Sequence, residues 1–66
     1  MNTRHAQLVL AIVREGSFTA AAKSLFITQP TLSHQIRQIE EQLGASIFVR
    51  SKTAIELTPA GQVYVQ

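Results

Sequence analysis

Residues 17–40, SFTAAAKSLFITQPTLSHQIRQIE, constrain the fold more than any other stretch of the chain. The spacing predicts a short alanine-rich helix from Phe18 to Leu25, a break at Phe26 and Ile27, and a longer helix from Gln29 to Leu43. In the longer helix Leu32, Ile36, Ile39 and Leu43 recur at intervals of four, three and four residues, which gathers them on one face. Thr28 is placed to cap that helix, Pro30 fits its first turn, and Gly44 is placed to end it in a left-handed cap. In the shorter helix Ala21, Ala22 and Leu25 form the inner face. The small side chains let another helix approach closely, although Ala20–Ala22 also follows from helix propensity alone. Ile27 is expected to point inward. Two helices joined by so short a break have the period of a helix-turn-helix. Many such motifs carry glycine near the position of Phe26, and this chain does not.

The flanks extend the pattern. A first helix is expected from Thr3 to Glu15, with Ala6, Val9, Ile12 and Val13 on one face and Leu8 and Leu10 widening it. Gly16 then closes that helix and Ser17 caps the next. Beyond Gly44 the period changes. Residues 46–50 and 54–58 are short β-branched and aromatic segments separated by Ser51, Lys52 and Thr53, which reads as a two-stranded ribbon with a basic tip. An isolated hairpin is marginal in water, so the ribbon must pack on the helices. Thr58 and Pro59 announce a fourth helix, with Val63 and Tyr64 beginning its apolar face. About two turns are too short to be stable alone, so the chain is expected to be the front of something longer. The expected fold is mainly α: a winged helix-turn-helix with three helices, a two-stranded β wing and the start of a fourth helix. Residues 1–58 are expected to form the domain, with the helix-turn-helix at 18–37 and the wing at 46–58, and residues 59–66 to begin the fourth helix.

The 66 residues allow one domain, and a chain of this size buries only roughly 60 % of the surface its unfolded form exposes. A composition that is 45 % hydrophobic suits a folded module, and the absence of cysteine removes disulfides from consideration. Net charge is +2, which alone says little about nucleic acid. Its distribution says more. Between Gly16 and Arg37 stand two cations and no anion, and the sign reverses at Glu40 and Glu41. The longest apolar run, Leu8–Val13, is far short of a membrane span. The N-terminus lacks the pattern of a signal peptide, so a cytoplasmic protein without a membrane partner is expected.

Enzyme chemistry has few candidates. Aspartate and cysteine are absent and there are two histidines. Ser33 and His34 are neighbours on a helix, about 100° apart, and face away from each other. His5 and His34 match no metal-ligand spacing with the carboxylates. The expectation is no enzyme, no metal and no cofactor in this chain. Nucleic-acid chemistry is better served. Gln29, Thr31, Ser33, His34 and Arg37 lie off the apolar stripe. A glutamine can pair bidentately with adenine, serine and threonine can meet bases or phosphates, and the threonine methyl can pack on thymine. Arg37 can reach guanine or, one turn further out, a phosphate. The helix N-terminus itself attracts phosphate. Ser17, Thr19 and Lys23 can touch the backbone. Arg50, Lys52 and Thr53 can reach phosphates or a minor groove, unless the lysine simply guards a solvated edge. Glu40 would repel phosphate and is expected at the far end, paired locally with Arg37 or Arg50.

The run Gly16-Ser17-Phe18-Thr19-Ala20-Ala21-Ala22, followed by Leu25, Gln29-Pro30-Thr31-Leu32-Ser33, Ile36, Glu40, Leu43-Gly44, Phe48, Arg50, Leu57-Thr58 and Ala60-Gly61, resembles the N-terminal winged helix-turn-helix of LysR-type transcriptional regulators. The resemblance covers nearly the whole chain. It implies a DNA-binding domain of a bacterial regulator, with Gln29, Pro30, Thr31, Ser33 and His34 at the groove. It also implies a double-stranded operator as partner. The fourth helix would be a linker that joins full-length copies into a homodimer or homotetramer, followed by a C-terminal domain that binds a small-molecule effector. Departures are Ala6 and Val9 where leucine and phenylalanine are usual, Ile39 where leucine is usual, and His34 where arginine is usual. The last exchanges an always-charged side chain for an imidazole, so base choice or affinity is expected to differ. The alternative is a winged helix that binds protein rather than DNA.

Overall fold

Helix ends in this chain are set largely by hydroxyl side chains. In the computed structural model, which describes residues 3–49 and 54–65, the elements are α1 (Thr3–Glu15), α2 (Phe18–Ser24), α3 (Gln29–Leu43) and α4 (Pro59–Tyr64). Ser17 Oγ accepts the Ala20 N–H at 3.0 Å, Thr28 Oγ1 accepts the Thr31 N–H at 3.3 Å, and Thr58 Oγ1 accepts the Gly61 N–H at 3.0 Å. Each such cap contributes about 1 kcal/mol. At the other ends, Gly16 and Gly44 hold φ of 80° and 79°, a left-handed conformation open to glycine without steric cost. Phe26 adopts the same region with φ of 60°, where an L side chain costs roughly 1–2 kcal/mol.

Three helices meet in one core. Leu8, Val9, Ala11 and Ile12 of α1, Ala21 and Ala22 of α2, and Leu32, Ile36 and Ile39 of α3 are buried together. The two alanines leave the space through which α1 and α3 close on α2. Leu25 and Ile27, on either side of Phe26, pack against this cluster as expected. Four apolar assignments need correction. Leu10, Val13, Leu43 and, on the short α4, Val63 are 48 %, 40 %, 43 % and 71 % exposed. At about 100° per residue, the face centred on Leu8 and Ile12 turns Leu10 and Val13 away. Leu43 stands at the last turn of α3, beyond the reach of the core. Helix α2 is one residue shorter than expected, with Leu25 as its C-cap.

After Gly44 the chain returns to the helices through Ile47 and Phe48. Phe48 and Leu57 form an antiparallel bridge, flanked by bonds from Val49 N–H to Glu56 O at 2.8 Å and from Thr58 N–H to Ile47 O at 2.9 Å. These bonds make Phe48 and Leu57 a non-hydrogen-bonded pair, the kind that brings side chains closest. No longer strand pairing is formed among the described residues, and residues 50–53 lie outside them. The bridge is fastened to the helices twice. The Phe48 ring meets Phe18 of α2 edge-on, with centroids 5.5 Å apart and planes at 71°. Glu40 Oε2 accepts the Ile47 N–H at 2.8 Å. Of the two expected cation partners, Arg37 and Arg50, the second falls outside the described residues; the bond to Ile47 N–H gives Glu40 a role in holding the backbone. No helix among the described residues is long and apolar enough to cross a membrane.

Helix α4 lies against Ile47 at Gly61. A Cβ at Gly61 would stand 2.2 Å from Ile47 O, a backbone atom that cannot swing aside. We expect Gly61→Ala to destabilise the domain by about 1–3 kcal/mol through overpacking, despite the better helix propensity of alanine. Thermal denaturation followed by circular dichroism reads this directly; an unchanged or higher midpoint would refute the close approach.

Candidate nucleic-acid interface

Burial of Leu32, Ile36 and Ile39 fixes the rotation of α3 about its axis. Gln29, Pro30, Thr31, His34 and Arg37 are consequently exposed, and Ser33 is half-buried at the margin. The first turn of this edge is ordered by its own side chains. Thr28 Oγ1 takes the Thr31 N–H and donates its own proton to Thr31 Oγ1 at 2.8 Å. Gln29 Nε2 donates to Ser33 Oγ at 2.7 Å.

These bonds leave a defined set of free valences. Thr31 and Ser33 each accept from a neighbour and retain their own O–H to donate. Gln29 keeps Oε1 as acceptor and one N–H as donor, the pair that adenine N6 and N7 require. The rotamers are held before any ligand arrives, which lowers the entropy lost on binding. The first turn of α3 contains no acidic residue, so no carboxylate competes for its free N–H groups.

On α2, Ser17 is committed as an N-cap acceptor but can still donate its hydroxyl proton. Thr19 and Lys23 are exposed and four residues apart, so they share a line along the helix. No acidic side chain stands on α2 or among residues 29–39 of α3. Glu15 pairs with Arg14 at 3.3 Å at the end of α1, and Glu40 and Glu41 occupy the last turns of α3. Of the twelve site residues predicted from sequence, Arg50, Lys52 and Thr53 lie outside the described residues. The other nine fall on α2 with its cap and on α3.

The Ser33 hydroxyl is engaged by Gln29 and not directed at His34, which is exposed. Among the described residues no group of three or more metal-ligating side chains is gathered. A cleft of about 110 Å³ between α1, α3 and α4 is lined by His5, Ile39, Gln42, Leu43 and Tyr64, and a larger, shallow one of about 430 Å³ lies at the C-terminal end of α3 against Ala45 and Ser46. Sequence reasoning assigned Thr28 only a capping role. Its second bond, to Thr31, makes it an organiser of the exposed edge, a possibility signalled by two threonines three residues apart.

A family model described as bacterial regulatory helix-turn-helix protein, lysR family, matches residues 3–62. The chain belongs to the LysR family. It is 43 % identical over 65 residues to the HTH-type transcriptional regulator AlsR of Bacillus subtilis (strain 168), covering 98 % of this chain and 22 % of AlsR. It is 42 % identical over 66 residues to the HTH-type transcriptional regulator BudR of Klebsiella aerogenes, covering all of this chain and 46 % of BudR. This LysR-family chain thus spans less than half the length of these curated relatives. Among solved structures, it superimposes on the BenM DNA-binding domain in complex with benA site 1 DNA with a TM-score of 0.94, at 42 % identity, covering 100 % of this chain and 74 % of that one. The CbnR DNA-binding domain in complex with DNA gives a TM-score of 0.87 at 35 % identity, covering 98 % and 75 %.

The Thr28 cap predicts a measurable dependence in this LysR-family domain. Thr28→Ala should lower stability by about 1 kcal/mol, and Thr28→Ser should restore most of it. Chemical denaturation of the two variants checks this, and equal stability of Thr28→Ala and wild type would contradict the cap.

Proposed function

We infer that the chain is the sequence-specific, double-stranded DNA-binding module of a bacterial LysR-type transcriptional regulator. Helix α3 enters the major groove with Gln29, Pro30, Thr31, Ser33 and His34 toward the bases and Arg37 toward a base or phosphate. Ser17, Thr19 and Lys23 meet the sugar-phosphate backbone. Residues 46–58 form a wing that carries Arg50, Lys52 and Thr53 to the flanking backbone or minor groove. The activity is binding, not catalysis. In the full-length regulator α4 continues into a linker helix through which two or four copies assemble, and two copies read two half-sites. A following domain binds a small-molecule effector.

The observation that carries this reading is the ordered polar edge of α3, with Thr28 bonded to Thr31 and Gln29 to Ser33, opposite the buried stripe of Leu32, Ile36 and Ile39. Solved complexes of the similar BenM and CbnR domains with DNA support it. A winged helix built to bind protein would present apolar side chains on this face of α3.

The test uses duplexes selected by the chain from a random pool. The double change Gln29→Ala/Ser33→Ala is expected to reduce the preference for selected over scrambled duplex by roughly ten-fold or more. Lys23→Ala should instead weaken both duplexes alike and reduce the salt slope by about one. Gel-shift titrations at several salt concentrations separate these effects. A double variant that keeps the wild-type preference would sink the recognition-helix assignment.

A further inference from the structure

Phe26 is the least explained side chain in the domain. The residue is 95 % exposed, more than Leu10, Val13, Leu43 or Val63, the other exposed large apolar residues among those described. Its backbone holds φ of 60°, where glycine is at ease and phenylalanine is not. The bonds that make the turn run through main-chain atoms. Phe26 N–H donates to Lys23 O at 3.1 Å, and Ile27 N–H donates to Ala22 O at 3.0 Å. Leu25 and Ile27 reach the core on either side while Phe26 does not. Folding alone would be better served by glycine here. A strained backbone that displays an exposed aromatic ring therefore points to a ligand for the ring.

The position says which ligand. Phe26 lies three residues after Lys23 and three before Gln29. Three residues span at most about 11 Å, so the ring starts within roughly three base-pair steps of the site that Gln29 addresses. Apolar chemistry on the wall of a major groove comes from two sources, the thymine C5-methyl and the deoxyribose carbons. We propose that Phe26 is a further DNA-contacting residue, whose ring packs on apolar carbon at the rim of the major groove beside the N-terminus of α3. This proposal rests on the DNA-binding reading above. It adds a contact that is apolar, and so independent of salt, next to one that is polar and one that is ionic.

The experiment compares Phe26→Gly, Phe26→Leu and Gln29→Ala/Ser33→Ala with the wild-type chain on a duplex selected from a random pool. Phe26→Gly should melt at the same or a higher temperature, because strain is relieved and no buried contact is lost. Its affinity for the selected duplex should fall roughly ten-fold, with the slope of log affinity against log salt unchanged. Phe26→Leu keeps apolar carbon at the same place and should bind within about three-fold of wild type. Replacing thymine by uracil across the duplex removes only the methyl groups. A loss in wild type that Phe26→Gly does not show assigns the ring to thymine, and no such difference assigns it to the sugars.

The proposal is overturned if Phe26→Gly binds as wild type, which would leave the ring as a docking point for protein. A lower melting temperature for Phe26→Gly would also overturn it, since the ring would then be structural. If Phe26→Gly is silent while the double variant loses preference, this inference alone fails. If neither changes binding, or no sequence emerges from the pool, the recognition-helix reading fails with it.

Discussion

The packing of Leu32, Ile36 and Ile39 against α1 and the alanines of α2 is the constraint on which everything else in this domain depends. A helix rotated about its axis by one residue would move each of these side chains by about 100°. The stripe therefore determines which side chains of α3 face outward. Among those are Gln29, Pro30, Thr31, His34 and Arg37, with Ser33 at the edge. Close approach is possible because Ala21 and Ala22 occupy little volume. In a core of so few residues, a cavity or an extra methylene has no remote packing to absorb it. The polar edge gains its definition from the same source: once the helix cannot turn, a bond from Thr28 to Thr31 or from Gln29 to Ser33 fixes direction as well as distance.

A second fixed point is Ile47, which links the C-terminal part to the helices through its buried side chain and its backbone. Its N–H is held by Glu40 and its carbonyl accepts from the N–H of Thr58, whose hydroxyl donates to the neighbouring Ser46 O. The Ile47 carbonyl forms the floor on which Gly61 rests. One residue thus couples the end of α3, the Phe48–Leu57 bridge and the start of α4. Glu40, at odds with a phosphate-binding surface if read by charge alone, is a structural carboxylate at the opposite end of α3 from the polar edge.

Much of this was legible in the sequence because the helix boundaries carry local chemistry. Ser17, Thr28 and Thr58 as caps, Gly16 and Gly44 as terminators, and the Leu32–Ile36–Ile39 interval each specify structure through neighbours three or four residues away. The errors arose where local pattern underdetermines rotation. In the unbroken apolar run Leu8–Val13, periodicity alone does not say which face is buried, and Leu10 and Val13 were assigned inward while α2 and α3 approach from the Leu8–Ile12 side. Long-range contacts were hidden for the same reason. No local signal pairs Glu40 with the Ile47 backbone or explains why residue 61 must be glycine. The candidate interface residues on α2 and α3 are what remains when the buried face is subtracted. Phe26 was visible only as a departure from glycine, and its exposure and left-handed backbone turn that departure into a question about function.

We propose that the N-terminal half of α3 is the surface that meets DNA. Titrating an isotopically labelled chain with a duplex selected from a random pool, and following backbone amide resonances, tests it most directly. The account predicts that the largest perturbations fall on Thr28 to Arg37 and on Thr19 to Lys23, with the outer face of α1 around Leu10 and Val13 left nearly unchanged. Perturbations concentrated on α1, or spread evenly over the domain with none favouring α3, would contradict it.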